Sequence, residues 1–492
     1  MSENKETKVT DNRRWIALYV LCAGVLMIVL DVTVVNVALP SIQNDLSFSQ
    51  AGLAWVVNAY LIAFGGLLLL AGRFGDLFGR KRMFMYGLTL FTVSSLFCAV
   101  SETQGMLVAA RFIQGVAGAA TSAVVLGMIV TMFPEPREQA KAIGVYGFVA
   151  SAGGSVGLLL GGLLTQAINW HWIFFINIPI GIVTGFLAAR LVESDKGLGI
   201  TGGADVPGAV LITSSLMVGV FTIVKPAAED GWGSTNALLF AALSLALLIA
   251  FILREATARN PLIPLRIFRS RNVSGANAVQ ALLVAGMFGM FFLGSLYMQR
   301  VLGYDALEIG LAFLPATLVM GTLSLRFSEP IITRFGARNA LIPGLLLIGA
   351  GLALFSRAPV DGNYLRDVLP VMLIMALGIG VSFPSLMTLA MSGATRQDAG
   401  LASGLVNTSA QVGGALGLAV LATVSASRTD HLEAAGKSTA SALTGGYHVA
   451  FLIGAGLCLA ALAVVLVVIQ PEKKAAAATH ESPAGEPAYS ES

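Results

Sequence analysis

The stretch WIALYVLCAGVLMIVLDVTVVNVALP, residues 15–40, decides the class of the fold. It carries a single charged side chain, Asp31, in a run longer than the roughly 20 apolar residues a helix needs to cross a bilayer. Lipid cannot hydrogen-bond an exposed peptide group, so a run of this kind is a spanning helix whose amides are satisfied internally. The polar, basic segment before it leads straight in. The run exceeds the apolar core of a secretory signal and has no small-residue cleavage site, so it is expected to be retained as a first span.

The rest of the chain repeats this pattern. Of its 492 residues 56% are hydrophobic and 12% charged, with a mean hydropathy of +0.80, whereas soluble domains are about a quarter charged. The fold class read from this is all-α integral membrane protein. Net charge is +3, and the basic residues cluster between apolar runs. That is a membrane-topology signal, and no nucleic-acid partner is expected. Cys22, Cys98 and Cys458 sit alone in apolar runs and read as small core residues. No metal and no cofactor is expected.

Apolar segments begin near Trp15, Gly52, Met83, Met106, Lys141 and His171, then at about 207 and 235, then near Asn272, Glu308, Asn339, Arg366, Leu401 and Tyr447, giving about fourteen spans. The expected organisation is a cytoplasmic N-terminus (1–14), a six-helix bundle (15–192), two inserted helices (193–253), a basic cytoplasmic linker (254–271), a second six-helix bundle (272–470) and a disordered cytoplasmic tail (471–492). With both termini inside, 23 of the 30 Lys and Arg residues are cytoplasmic, six are outside, and Arg111 falls within a span. That asymmetry predicts a multi-pass protein of the cell (inner or plasma) membrane. The lipid bilayer is its solvent, and a monomer is expected.

Ionisable residues inside spans are the informative ones. Asp31 and Arg111 form a candidate pair, in which burial opposes the carboxylate charge and an arginine supports it, as a proton carrier needs. The alternative places Asp31 at a wet outer mouth and gives Arg111 only backbone carbonyls to hold. In the fifth span Gly153, Gly157 and Gly161 recur every four residues, on one face that a neighbouring helix can approach closely; Gly413 and Gly417 repeat the spacing in the thirteenth. Ordinary helix packing would use the same spacing. The loop GRFGDLFGRKR surrounds Asp76 with glycines and basic residues, which suggests a tight turn whose carboxylate docks on a partner such as a helix N-terminus. Asn36, Gln114, Asn277 and Gln280 are polar residues in apolar helices, read as substrate contacts or as interhelical hydrogen bonds.

Four motifs resemble those of the fourteen-span drug:proton antiporter family of the major facilitator superfamily. LDVTVVNVALP (30–40) is similar to that family's signature at the end of helix 1, with Asp31, Asn36 and Pro40. GRFGDLFGRKR matches the loop 2–3 motif in Gly72, Asp76, Gly79 and Arg80, with Leu77 where a basic residue is usual. LVAARFIQGVAGAA resembles the helix 4 motif, whose arginine, here Arg111, is implicated in proton coupling. Gly144, Gly153, Gly157, Gly161 and Gly162 fall on the helix 5 antiporter motif, with Leu158 replacing its proline; NWHWIFFINIPIG resembles the start of helix 6, with His171 replacing arginine. The resemblance implies the major facilitator fold, two pseudo-symmetric six-helix bundles plus two inserted helices, and protons as the coupling ion.

The expected function is proton-coupled efflux by alternating access, with Asp31 exchanging the proton, Arg111 tuning it, the helix 5 glycines forming the sliding contact between halves, and Gly72, Asp76, Gly79 and Arg80 latching one state. Asp31 is the only acid well inside a span, Glu308 lying at an outer edge, so the expected substrate is a small lipophilic compound that is neutral, zwitterionic or singly charged. The alternative is a proton-coupled symporter importing a small metabolite on the same fold. An ATP-driven pump is excluded, because the sequence before Gly436-Lys437-Ser438-Thr439 has His431 where a phosphate-binding loop needs glycine. Enzymatic chemistry is not expected, since His431 and Glu433 fall in a polar, solvated loop.

Overall fold

A computed structural model of the chain describes residues 3–195, 197, 199, 203–392 and 399–470; the tail expected at 471–492 lies outside them. The first half comprises α1 (Glu3–Asp45), α2 (Gln50–Phe78), α3 (Arg80–Ala99), α4 (Gln104–Met132), α5 (Pro136–Ala167), α6 (Trp172–Phe175) and α7 (Asn177–Leu191). The inserted pair is α8 (Val206–Val224) and α10 (Thr235–Thr257), joined by the single turn α9 (Pro226–Glu229). The second half comprises α11 (Arg271–Arg300), α12 (Ala306–Thr322), α13 (Ser328–Phe335), α14 (Ala337–Phe355), α15 (Leu369–Ser392), α16 (Ala399–Ala434) and α17 (Thr439–Val467). Among the described residues every regular element is helical.

Helix starts follow side chains that satisfy free N–H groups. Ser49 accepts from Gly52 at 2.9 Å and Thr103 from Met106 at 3.3 Å, opening α2 and α4. Asp305 and Glu308 form a reciprocal capping box at the start of α12, which places Glu308 at the end of its helix, as expected. Twelve helices among the described residues are long and apolar enough to cross a membrane; α5 and α12 supply two further apolar stretches, Val156–Ala167 and Ala306–Thr322.

Four expectations about helix ends need correction. The sixth span is broken at Ile176, because Pro179 has no N–H to return to the preceding turn. α10 continues to Thr257 and the linker contains a 3₁₀ turn at Leu265–Arg269, so the linker is shorter than 254–271. α17 begins at Thr439 rather than near Tyr447: Gly445 and Gly446 let it pack on Leu432, Ser425 and Thr429 of α16 outside the most apolar window. α16 runs to Ala434, so His431 and Glu433 lie on a helical turn and not in a loop.

The halves repeat one arrangement. α1 packs on α5 as α11 packs on α16, and α2 packs on α4 as α12 packs on α15. Gly157 and Gly161 lie against Thr33 and Val34 of α1, while Gly413 and Gly417 lie against Ala281 and Ala285 of α11. The halves meet through α5 with α12 and α2 with α16. Near the end of the bundle where α1 finishes, Gly162 abuts the backbone of Ala306 and Leu307, the Leu158 carbonyl abuts Gly310, and Arg300 donates to Asn44 at 3.0 Å. The halves are packed together at that end. α8 lies against both α2 and α16, across the seam between the halves.

Candidate functional site

Asp31 is 0% exposed, in the middle of α1. The wet outer mouth is thereby ruled out. Arg111, 1% exposed on α4, donates from Nη1 to Asp31 Oδ2 at 2.5 Å and to Gln114 Oε1 at 2.6 Å, and from Nε to the Val56 carbonyl of α2 at 2.9 Å. The guanidinium lies 4.4 Å from the ring centre of Tyr60, a cation–π contact strengthened by the absence of water. The other carboxylate oxygen, Oδ1, accepts from Gln114 Nε2 at 2.7 Å and from Asn177 Nδ2 at 3.0 Å. Ser95 closes the ring by accepting from Gln114 at 2.8 Å.

Four helices thus converge on one carboxylate. Taking an isolated ion out of water costs several kcal/mol, and a buried pair holds only when its geometry is good and the remaining donors are used. Here both oxygens of Asp31 are occupied. Protonation would cancel the charge opposing Arg111 and leave a buried cation without a counter-ion. The oxygens of Asn177 Oδ1 and Tyr60 Oη beside the pair have no partner.

Sequence reasoning brought Asp31 and Arg111 together correctly but missed Ser95, Asn177 and Tyr60. Asn177 stood in the quoted helix 6 segment, and an uncharged polar residue between apolar neighbours was the signal available. Gln114, read as a substrate contact or an interhelical hydrogen bond, is fully buried and bonds Asp31 of α1 and Ser95 of α3. Asn277 donates to the Val273 carbonyl and accepts from Ser409 at 2.8 Å, an interhelical bond between α11 and α16. Asn36 donates to the Val32 carbonyl at 3.1 Å. Asn36 Oδ1 and Gln280 Oε1 are buried without partners. Cys98 touches Gln114, Cys22 and Cys458 are likewise buried, and all three are free thiols.

Of the α5 glycines whose surroundings are described, only Gly162 forms a contact between the halves, which corrects the expectation for the other three. Gly153, Gly157 and Gly161 face α1 within the same half; Gly162, rotated by one residue, is the one that meets α12. Gly144 lies on α5, but its surroundings fall outside the described residues.

At the opposite end of the bundle, where α2 finishes, the loop motif closes on its own half. Arg80 pairs with Asp76 at 3.1 Å and donates to the Gly127 carbonyl and Thr131 Oγ1 of α4, each at 3.0 Å. Gly79 turns the chain with φ +101°, a conformation that favours glycine, and Gly72 packs near Ala123. The carboxylate on the start of α3 is Asp195, not Asp76: it accepts the N–H groups of Arg80 at 2.9 Å and Lys81 at 3.2 Å. Lys81 Nζ in turn donates to the Ala189 and Val192 carbonyls, at 3.0 and 2.6 Å, at the end of α7. Partial burial raises the Asp195 carboxyl, but these N–H groups and the Arg80 charge outweigh it and hold it below the usual carboxylate range. Leu77, where a basic residue was expected, is buried and offers its carbonyl to Gly199.

The major facilitator superfamily model matches residues 21–418. This chain belongs to the major facilitator superfamily. It is 39% identical over 465 residues to the puromycin resistance protein of Streptomyces alboniger, covering 93% of this chain and 92% of that one. It is 38% identical over 416 residues to the cephamycin export protein of Amycolatopsis lactamdurans, covering 84% and 85%. In fold it resembles a bacterial homologue of the human lysosomal transporter Spinster, with a TM-score of 0.67 at 17% identity, covering 93% of this chain and 97% of that one. A multi-pass membrane transporter follows from superfamily membership and the apolar helices together.

The superfamily architecture leaves α8 and α10 as the added elements, and they bring two buried acids that sequence reasoning did not assign. Asp205 caps α8 through Gly208 and pairs with Arg254 at 3.0 Å; Glu255 accepts the Ile263 N–H at 2.7 Å. Among the described residues no group of three His, Cys, Asp or Glu side chains could hold a metal ion.

Proposed function

We propose that the chain is a drug:proton antiporter of the fourteen-span branch, exporting small lipophilic compounds from the cytoplasm across the cell membrane, with both termini inside. The single observation that carries this reading is the sealed Asp31–Arg111 pair. A buried carboxylate with both oxygens bonded, opposed by one buried arginine, is a two-state element that a proton switches. The similarity to one resistance protein and one export protein supports the outward direction.

With the outer ends packed, ionised Asp31 belongs to the state that has released its proton inward and receives substrate from the cytoplasmic side. Substrate binding favours rocking to the outward-open state, where Asp31 takes a proton, Arg111 is freed, and substrate leaves. Return with the proton completes the cycle. Each charge moved through the membrane contributes about 2.3 kcal/mol per 100 mV. Asp76, Arg80 and Asp195 hold the inner ends of the first half as one body during this rocking.

The test is reconstitution of the full chain and Asp31→Asn into liposomes under an imposed pH gradient, following a panel of lipophilic dyes and antibiotics together with lumenal pH. Opposite fluxes of proton and substrate, both absent in Asp31→Asn, are expected. Parallel fluxes would make it a symporter, and coupling that survives in Asp31→Asn would move the proton site elsewhere.

A further inference from the structure

Where α8 begins and α10 ends, two carboxyl groups meet beside a single arginine. Asp205 and Glu255 are each 3% exposed. A Cβ added to Gly208 would stand 2.8 Å from Asp205 Oδ2 and 2.8 Å from Glu255 Oε1, so the two oxygens face one small space across the bare glycine.

Their partners are unequal. Asp205 Oδ1 accepts from the Gly208 N–H at 3.1 Å and from Arg254 Nε at 3.0 Å, and Oδ2 shares that Nε at 3.3 Å. Glu255 Oε2 accepts the Ile263 N–H at 2.7 Å, and the Leu262 N–H lies beside the group. Glu255 Oε1, facing the Asp205 oxygen, has no partner among the described residues.

The charges around this space do not balance. Arg254 is engaged on Asp205 alone, and its side chain is 45% exposed, so water screens much of its charge. Arg73 of α2 donates from Nε to the Gly203 carbonyl at 3.0 Å, on the segment leading into α8. With both acids ionised, two buried negative charges would face each other, an arrangement that strongly favours a proton on one of them. A proton on Glu255 Oε1 neutralises the surplus charge. It also turns the one unpartnered oxygen into a donor toward Asp205 Oδ2, directly or through a water molecule. Among the described residues no third His, Cys, Asp or Glu joins the two to hold a metal ion.

We propose that Asp205 and Glu255 form a second proton-binding site, separate from Asp31, in which the proton sits on Glu255 Oε1 and bridges to Asp205. What this proton holds in place is the linker. Leu262, beside the Ile263 amide that Glu255 accepts, packs with Leu70 of α2, Ala209 of α8 and Phe251 of α10. Neutral Glu255 thus fastens the chain leading to the second half onto the first half and the inserted pair. Neither the direction of transport nor the proton on Asp31 enters the assignment.

The experiment uses the full chain in lipid nanodiscs at neutral pH, in sodium chloride and again in choline chloride. The infrared difference between the parent and Glu255→Gln is expected to contain a carboxylic-acid carbonyl band from the parent that shifts in heavy water. Asp205→Asn still caps α8 but leaves Glu255 facing no second acid and free to take Arg254 as counter-ion, so it should lose the same band. Hydrogen exchange at the Ile263 amide gives an independent reading. Glutamine copies the shape of the neutral acid and keeps a carbonyl for that N–H, so protection in Glu255→Gln should stay within about twofold of the parent. An ionised Glu255 would instead show a loss of about tenfold in that variant, because a charged acceptor holds its donor roughly twice as strongly. Glu255→Ala, with no acceptor, should lose about tenfold or more.

An infrared difference without the acid band, or a tenfold loss of protection in Glu255→Gln, would overturn the site. A band that survives in Asp205→Asn would overturn the sharing with Asp205. Protection in the parent that differs between sodium and choline would make a metal cation, not a proton, the missing charge. A Glu255→Gln chain that fails to fold would also count against the proposal, since the amide reproduces the neutral acid.

Discussion

Arg111 on α4 holds Asp31 on α1 across a 2.5 Å contact, and neither side chain is more than 1% exposed. Their positions are eighty residues apart in the chain, and each is stable in its charged form only because of the other.

Asp31→Asn leaves Arg111 as a buried, unopposed cation, and removal of one partner of such a pair costs about 3–5 kcal/mol. The double variant Asp31→Asn/Arg111→Gln should be less destabilised than the sum of the single changes. Thermal unfolding in detergent of the four proteins checks this, and additive effects would show that the two residues do not act as a pair.

Gly162→Ala should loosen the packing between the halves at the end where α1 finishes. Its Cβ would sit 2.5 Å from the Ala306 carbonyl oxygen and 3.0 Å from Leu307 Cα, both backbone atoms that cannot swing away. The expected penalty on the closed state is about 1–3 kcal/mol. Disulfide formation between Asn44→Cys and Arg300→Cys, whose parent side chains meet at 3.0 Å, should fall in Gly162→Ala. Gly154→Ala, with nothing within 4 Å of its Cβ, should leave it unchanged.

Asp195→Ala should loosen the start of α3 without touching Asp76. Loss of a capping carboxylate costs about 0.5–2 kcal/mol, read as faster hydrogen exchange at the amides of Arg80 and Lys81. Because its carboxyl is held below the usual carboxylate range, the stability it contributes is complete above that range. It is lost only as pH falls through the lowered value. Protection of these amides in the parent should therefore be flat from neutral pH into mildly acid conditions. Any loss near neutrality would contradict the capping role.

His171 gives the opposite end of the bundle its own acid sensitivity. Burial lowers its pKa from 6.5, against the pull of Asp45. Its ring stacks on Trp170 at 3.8 Å, and Trp170 Nε1 donates to Asp45 at 2.8 Å. A base with a depressed pKa stabilises the fold above its unfolded value and loses that contribution as pH drops. The parent should lose stability on acidification from about pH 6.5, the unperturbed histidine value. His171→Phe should flatten that decline in a melting series across pH 5 to 8, the range through which an unperturbed histidine changes charge.

Much of the site was legible because charge inside an apolar run is rare enough to stand out, as Asp31 and Arg111 did. Ser95, Asn177 and Tyr60 were not, since single uncharged polar residues occur throughout such helices and nothing local distinguishes a network member from a lone side chain. The loop motif announced a carboxylate on a helix N-terminus; the acid that fills that role, Asp195, lies 115 residues from Arg80, beyond the reach of any spacing rule.

The sequence by itself determined the solvent of this protein, the places where the chain crosses it and the paired halves, because apolar runs and basic loops are local properties that lipid and membrane topology read directly. Which face of each helix meets which neighbour was decided only in the tertiary structure. The glycines of α5 show why: spacing of four puts Gly153, Gly157 and Gly161 on one face, but close packing of the first half turned that face toward α1 and left Gly162 to meet α12.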